Sequence, residues 1–286
     1  MSLTIEYWYL FPISILIATI AMASGIGGAV FFSPLFMLVL KLDPAVAIGT
    51  ALMTELFGFS SGVYAYWRRR LIDFKLGRRL LVFSIPAAVV GSFSTELFPA
   101  AILKTIFAVG IIFIGWQLYS SYRHGEKEGL DKQIAEQSRE KSESVLIDAA
   151  GNEYRYTIAN KNEGRVFAAI GGWFLGMISV GLAELQEYEL LVRCRVPSPV
   201  AVGTSIFVVV FTVFIASIGH LYNFATSTDS SMLTQVLGIV TFTIPGVVVG
   251  GQIGPVVQAR VNPDVTKVGI AFLFVAVGIF MLTTVV

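Results

Sequence analysis

Ser24-Gly25-Ile26-Gly27-Gly28-Ala29 interrupts an apolar run that otherwise extends from about Tyr7 to Leu40. Glycine is a poor helix former, and it alone takes positive φ at little cost. The glycines at 25, 27 and 28 therefore predict a helix that stops near Ala23, turns, and restarts toward Ser33-Pro34. Inside a bilayer such a break strands backbone N–H and C=O groups, which is tolerated only where protein, water or a ligand satisfies them. A broken helix at membrane depth thus reads as a binding site. The alternative is that the glycines form a smooth surface on which a neighbouring helix packs. Residue type alone leaves both readings open.

The composition around this stretch sets its environment. The 286 residues are 55% hydrophobic and 14% charged, with a mean hydropathy of +0.76; a soluble domain carries roughly 25% charged residues. Apolar runs of about 18 or more residues recur along the chain, as in an all-α polytopic membrane protein. The formal charge of +1 gives no sign of an acidic or nucleic-acid partner, and no nucleic acid is expected. A single cysteine, Cys194, excludes an intramolecular disulfide and a cysteine metal cluster. Met1–Phe11 holds Glu6 and no Lys or Arg, so the basic region of a signal peptide is missing.

Working outward, a second apolar segment follows Asp43-Pro44 and ends at Arg68-Arg69-Arg70. A third covers about Leu80–Leu97, and a fourth runs from Pro99 to Tyr122. Residues 123–164 are a polar linker between a first transmembrane repeat (1–122) and a second (165–286). The charged part, Glu126 to Glu143, reads as a solvated helix or disordered linker. Two β-rich runs around Asp148, Gly151 and Asn152 predict a small cytoplasmic β-hairpin. A fifth segment, about Val166–Leu191, again has an irregular middle at Ser179–Tyr188. Three more follow: a sixth ending near His220, a seventh at about Met232–Ala259 and an eighth at about Val265–Val286.

The halves are related. Pro44-Ala45-Val46-Ala47-Ile48-Gly49-Thr50-Ala51 matches Ser198-Pro199-Val200-Ala201-Val202-Gly203-Thr204-Ser205, and Ile85-Pro86…Gly91 matches Ile244-Pro245…Gly250. Gly25-Ile26 falls opposite Gly181-Leu182, at the same spacing of about 155 residues. Charge placement distinguishes parallel from inverted halves, because Lys and Arg near span ends prefer the cytoplasm. Were segments one and five to cross fully, the basic residues outside the linker would divide evenly between the faces. If both are re-entrant hairpins, only Lys41 and Lys104 lie outside. The hairpin arrangement is preferred: two pseudo-symmetric inverted repeats, each a broken helix plus three spanning helices.

Inverted repeats with broken helices at the midplane are a transporter architecture, in which half-helix N-termini face an anionic substrate. Few cations lie at membrane depth here, so backbone amides and hydroxyls must hold most of an anion. The candidates are Ser24, Gly25, Gly27, Gly28, Thr50 and Thr54 in the first half, with Gly181, Gln186, Thr204 and Ser205 in the second. For the hydroxyls the competing role is bonding to the carbonyl four residues back. Ionisable groups at depth are functional candidates by default. Glu55 and Glu184 are the candidates for proton coupling, since a carboxylate beside an anion site repels substrate unless protonated. Glu187, Glu189 and His220 read as interfacial.

No enzyme signature is present, so the protein is read as a non-enzyme with no cofactor and no metal. There is no Gly-x-x-x-x-Gly-Lys-Ser/Thr loop, His-Glu-x-x-His or Gly-x-Ser-x-Gly.

With these residues in place, the sequence resembles the sulfite exporter TauE/SafE family of membrane permeases. The resemblance rests on Gly25-Ile26-Gly27-Gly28 with Ser33-Pro34-Leu35, on Ala-Val-Ala-Ile-Gly-Thr (45–50) with Val-Ala-Val-Gly-Thr-Ser (200–205), and on the two Ile-Pro…Gly elements. It implies secondary transport of small sulfur-containing anions such as sulfite, sulfonates or sulfoacetate across the cytoplasmic (inner) membrane. An ion gradient, of protons or sodium, would drive it without nucleotide. One departure stands out: the second break reads Gly181-Leu182-Ala183-Glu184 and does not repeat Gly-x-Gly-Gly. The expected function is a permease working by alternating access; the rivals are an anion channel and a scaffold acting through 123–164.

Overall fold

The computed structural model describes residues 5–24, 26–124, 134, 144–227, 230–258 and 263–284. Gly25, the side chain of Ser24 and all but residue 134 of the charged stretch 126–143 lie outside the described residues. After a 3-10 turn at Ile5–Tyr7, the first half holds α1 (Leu10–Ser24), α2 (Ala29–Leu38), α3 (Pro44–Arg68), α4 (Phe74–Ser94) and α5 (Ala100–His124). Strands β1 (Ser144–Ile147) and β2 (Glu153–Tyr156) follow. The second half holds α6 (Lys161–Ile178), α7 (Leu182–Tyr188) with a π-helical turn Glu189–Arg193, α8 (Ser198–Thr226), α9 (Ser230–Gln258) and α10 (Pro263–Thr283). Among the described residues, five helices are long and apolar enough to cross a membrane: α3, α4, α5, α8 and α9.

The predicted interruption is present, since α1 ends at Ser24 and α2 begins at Ala29. Helices of 15 and 10 residues reach about 22 and 15 Å, short of the roughly 30 Å hydrocarbon layer. Side-chain contacts fix their directions. Ala29 N–H donates to Glu55, and Leu42 N–H to the Phe36 carbonyl, so α2 runs antiparallel to α3. Thr54 meets Thr243 and Ser61 meets Gln252, so α9 runs parallel to α3. Gly246 lies against Phe11 and Ser14, Gly250 against Ile15, and Gly254 against Met22, so α1 is parallel to α9. Helices α1 and α2 are therefore the antiparallel arms of a hairpin that turns at the depth of Glu55, halfway along α3.

The second half repeats this with a shorter return arm. Gly172 lies against Ser84 and Gly176 against Ala88, which sets α6 parallel to α4. The chain turns at Ser179–Gly181, and α7 comes back past Gly171. Ser179 (φ 59) and Gly181 (φ 110) are left-handed, so this turn uses the conformation that favours glycine. The first arm of each hairpin packs on the penultimate helix of the other half, α1 on α9 and α6 on α4.

Close packing by glycine is also present, at other positions. A Cβ at Gly91, Gly172, Gly176 or Gly250 would strike backbone of the facing helix. Helix starts follow local chemistry: Asp43 caps α3 through Ala45 N–H with Pro44 behind it, and Asp73 caps α4 through Lys75 and Leu76 N–H.

The predicted hairpin pairs Ser144 with Tyr156 and Ile147 with Glu153. Its turn is tied by Asp148, which accepts from Ala150 N–H and Asn152 N–H. A bond from the Asn152 side chain, aided by those two, holds the Asp148 carboxyl below its ordinary range. The hairpin docks at the basic end of the bundle, where Ala149 N–H donates to the Arg69 carbonyl and Tyr156 donates its hydroxyl to Asp73.

Two residues read as interfacial are buried within the protein. His220 is 1% exposed and its Nε2 lies 2.8 Å from the Gly176 carbonyl, because α8 runs on to Thr226. Glu189 is fully buried and accepts from Cys194 Sγ.

Gly176→Val should lower unfolding stability by about 1–3 kcal/mol through overpacking. Gly58→Ala, where an added Cβ meets nothing within 4 Å, should leave it equal or about 0.5–1 kcal/mol higher. Thermal unfolding of the purified protein in detergent measures both.

Candidate functional site

Both breaks come together in the interior. Ser33, one turn into α2, and Ser179, at the second turn, share a hydrogen bond of 2.7 Å and are both buried. The link joins residues far apart in sequence, one on the return arm of the first hairpin and one at the tip of the second. Neither serine was among the sequence candidates. Both stand in stretches the sequence singled out, the Ser33-Pro34-Leu35 motif and the irregular middle that begins at Ser179.

Glu55 lies at the first break, with 4% of its surface exposed. Its Oε1 accepts from Ala29 N–H at 2.9 Å. Helix α2 therefore carries a carboxylate at its N-terminus, where free N–H groups and the positive end of the dipole favour negative charge. A Cβ at Gly27 would stand 2.7 Å from Glu55 Oε1 and 3.7 Å from Glu184 Oε1, so both carboxylates converge on this glycine. A side chain at Gly27 would push the Glu55 carboxyl, the far end of a flexible side chain, off its bond with Ala29 N–H. Gly28 has ordinary helical angles (φ −65, ψ −33) and room for a side chain. Here the reason for glycine differs from the conformational one that the sequence suggests.

In the second half, Glu184 Oε1, both polar atoms of the Gln186 amide and Ser205 Oγ are buried with no hydrogen-bond partner among the described residues. Glu184 and Gln186 project from α7 just after the turn at Gly181. Leaving a buried polar group unpaired costs about 1–3 kcal/mol, so each of these atoms calls for a polar partner such as water or a solute.

The remaining hydroxyls are engaged. Thr50 Oγ1 donates to the Val46 carbonyl at 2.7 Å. Thr54 Oγ1 donates to the Thr50 carbonyl at 3.0 Å and meets Thr243 Oγ1 at 2.8 Å, tying α3 to α9. Thr204 Oγ1 accepts from Asp73 N–H at 3.0 Å, at the basic end and beside the loop before α4. The structure thus gathers Gly27, Glu55 and Glu184 about the first break and places Gly181 and Gln186 at the second. Thr50, Thr54 and Thr204 serve backbone and neighbouring helices. Gly25 and the Ser24 side chain lie outside the described residues.

The arrangement sets a titratable side chain at one helix N-terminus. Glu55→Ala should destabilise the protein by about 1–3 kcal/mol by leaving Ala29 N–H unpaired. Glu55→Gln, which keeps an acceptor, should cost less. Gly27→Ala should behave like Glu55→Ala, while Gly28→Ala should be near silent; melting temperatures of the four variants check the order.

Comparison with known proteins gives a consistent family. Over 273 residues the chain is 22% identical to the probable membrane transporter protein YunE of Bacillus subtilis (strain 168), covering 93% of each sequence. It is 25% identical over 249 residues to the probable membrane transporter protein YjnA of the same organism, covering 81% of this chain and 84% of that one. No solved structure matches. The family profile described as "Sulfite exporter TauE/SafE" matches residues 10–281. With nearly its whole length matched and its helices apolar and membrane-long, this multi-pass membrane protein belongs to the sulfite exporter TauE/SafE family of transporters.

Proposed function

We propose that the chain is a secondary carrier of small sulfur-containing anions such as sulfite or organosulfonates. Its seat lies between the two breaks, and Glu55 couples substrate entry to a proton. One observation carries this reading: the Glu55 carboxylate accepts Ala29 N–H at the start of α2. A carboxylate in that place stands where a substrate oxyanion would stand. Two anions cannot share one half-helix N-terminus at low cost, because like charges about 4 Å apart repel by several kcal/mol in a low-dielectric interior. Protonating Glu55 weakens its hold on the N–H, and the anion takes its place. Glu184, reaching the same glycine, is the second proton-accepting group, and the amide of Gln186 supplies donors from the opposite break.

Several features support a carrier with two-sided access. The breaks belong to different halves and are joined side chain to side chain by Ser33 and Ser179. Rocking one half against the other changes which face the seat opens to, without changing the seat itself. For orientation, the end bearing Arg68, Arg69, Arg70, Lys75, Arg78 and Arg79 is taken as cytoplasmic. This puts the hairpin tip of 144–156 in the cytoplasm and the N-terminal end of α1 outside, in the inner membrane of a bacterium.

A thermal-shift screen against sulfite, thiosulfate, taurine, sulfoacetate and sulfate, with acetate as control, tests the substrate class. A true substrate at 100 times its Kd should stabilise the wild type by about 2.7 kcal/mol. In proteoliposomes, a pH gradient with the outside acid should drive accumulation of that anion by the wild type. Glu55→Gln should still exchange the anion but lose gradient-driven accumulation. No shift with any sulfur anion would overturn the substrate class, and full accumulation by Glu55→Gln would overturn the coupling.

A further inference from the structure

The bundle has a cavity at each end, and the two carry opposite charge. At the basic end, a cavity of about 520 Å³ lies below the end of α1, between the last turns of α3 and α9. Met22, Ser61, Tyr64, Arg68, Arg69 and Gln252 are among its walls, and no carboxylate lines it among the described residues. At the other end, a cavity of about 290 Å³ is lined by Asp43 and Glu96, with no Lys or Arg among the described residues. Gln252 Nε2 donates to Ser61 Oγ at 2.7 Å, closing the inner wall of the basic cavity with a polar pair. Arg68 lies over the Tyr64 ring at 5.9 Å, and the Arg69 carbonyl is anchored by Ala149 N–H of the hairpin. Neither guanidinium has a carboxylate partner among the described residues, and both are solvent-exposed.

We infer that the cavity between α1, α3 and α9 is an anion-loading vestibule, in which Arg68 and Arg69 concentrate small sulfonate- or sulfite-like oxyanions ahead of the first break. This rests on the orientation and anion class proposed above, and it adds the route by which the substrate arrives and a difference between the faces. Two adjacent cations beside low-dielectric walls raise the local concentration of anions by an order of magnitude or more. Met22 on the wall is the last described side chain of α1 before the break, so an anion held there is next to the hairpin turn. Asp43 and Glu96 do the reverse at the other mouth. Fixed charge does not set the direction of net transport, which the gradients decide. It lowers the half-saturation concentration on the cytoplasmic face and raises it on the outer face, so the carrier loads inside at low anion concentration and releases outside readily.

The test reads charge selectivity without any transport assay. Ser61→Cys is introduced into the full chain, where the native Cys194 stays buried at 1% exposure. Inside-out vesicles are treated with an anionic methanethiosulfonate (the ethylsulfonate) or a cationic one (the ethyltrimethylammonium), each normalised to its rate with free cysteine. The anionic reagent should react faster. Adding Arg68→Gln and Arg69→Gln should lower the anionic-to-cationic ratio about tenfold, and about 1 M salt should do the same by screening. A ratio indifferent to the arginines, or labelling only in right-side-out vesicles, overturns the proposal. If Ser61→Cys fails to accumulate, Gln252→Cys gives the same readout from the facing wall. Because labelling needs no substrate, a protein that binds no sulfur anion but keeps the ratio would refute the substrate reading and leave the vestibule standing.

Discussion

A hydrocarbon interior offers nothing to a backbone N–H, and the structure is organised around that constraint. Where α1 stops and α2 begins, the released donors must find acceptors, and Glu55 supplies one from the middle of α3. This single bond joins three facts that are separate in the sequence: a glycine-rich interruption, an acidic residue inside an apolar helix, and a return arm too short to cross. The carboxylate is stabilised by the helix end, and the helix end by the carboxylate. Any solute that competes for the site does so on electrostatic terms.

The second constraint is mutual support between the halves. Neither hairpin spans the layer alone, so each must be held by something that does. Helix α1 lies along α9 and α6 along α4, with glycines where the backbones approach most closely. Backbone contact of this kind is how helices associate when lipid offers no hydrophobic drive. The exchange places each hairpin tip where the other can reach it, and Ser33 and Ser179 complete the contact. At the basic end, Asp73 serves as a junction: it caps α4, accepts from Tyr156 of the hairpin, and donates its own N–H to Thr204 of α8. Asp73 thereby ties the hairpin to both halves at the basic end.

Much of this architecture was legible in the residues. The apolar runs, the interruption at 24–29 and the turn chemistry around Asp148 and Gly151 each carry a local physical signal, and each corresponds to an observed element. The site was legible in outline only. That Glu55 faces the first break follows from the way α2 folds back on α3, which no local pattern encodes. The glycines were read for their conformational freedom. At Gly27 an added Cβ would instead displace the Glu55 carboxyl, and Gly28 adopts angles open to any residue. His220 was misplaced because a polar residue near the end of an apolar run looks like a boundary, and Glu189, beside the exposed Glu163–Arg193 pair, is buried where a solvated carboxyl is expected. Yet α8 continues through Asn223, whose side chain donates to the Ser92 carbonyl, and Glu189 accepts from Cys194. The partners of His220 and Asn223 lie on α6 and α4, distant in the chain, so windowed hydropathy cannot find them.

The account depends on the two breaks touching. Oxidative cross-linking of a Ser33→Cys, Ser179→Cys double variant tests that contact, since the two hydroxyl oxygens lie 2.7 Å apart. A disulfide between residues 33 and 179, formed quickly in native membranes, identified by peptide mass, and locking the protein against exchange of bound anion, is the expected result. Failure to cross-link while both thiols are reduced and the protein is folded would mean that the breaks stand apart, and would contradict the account.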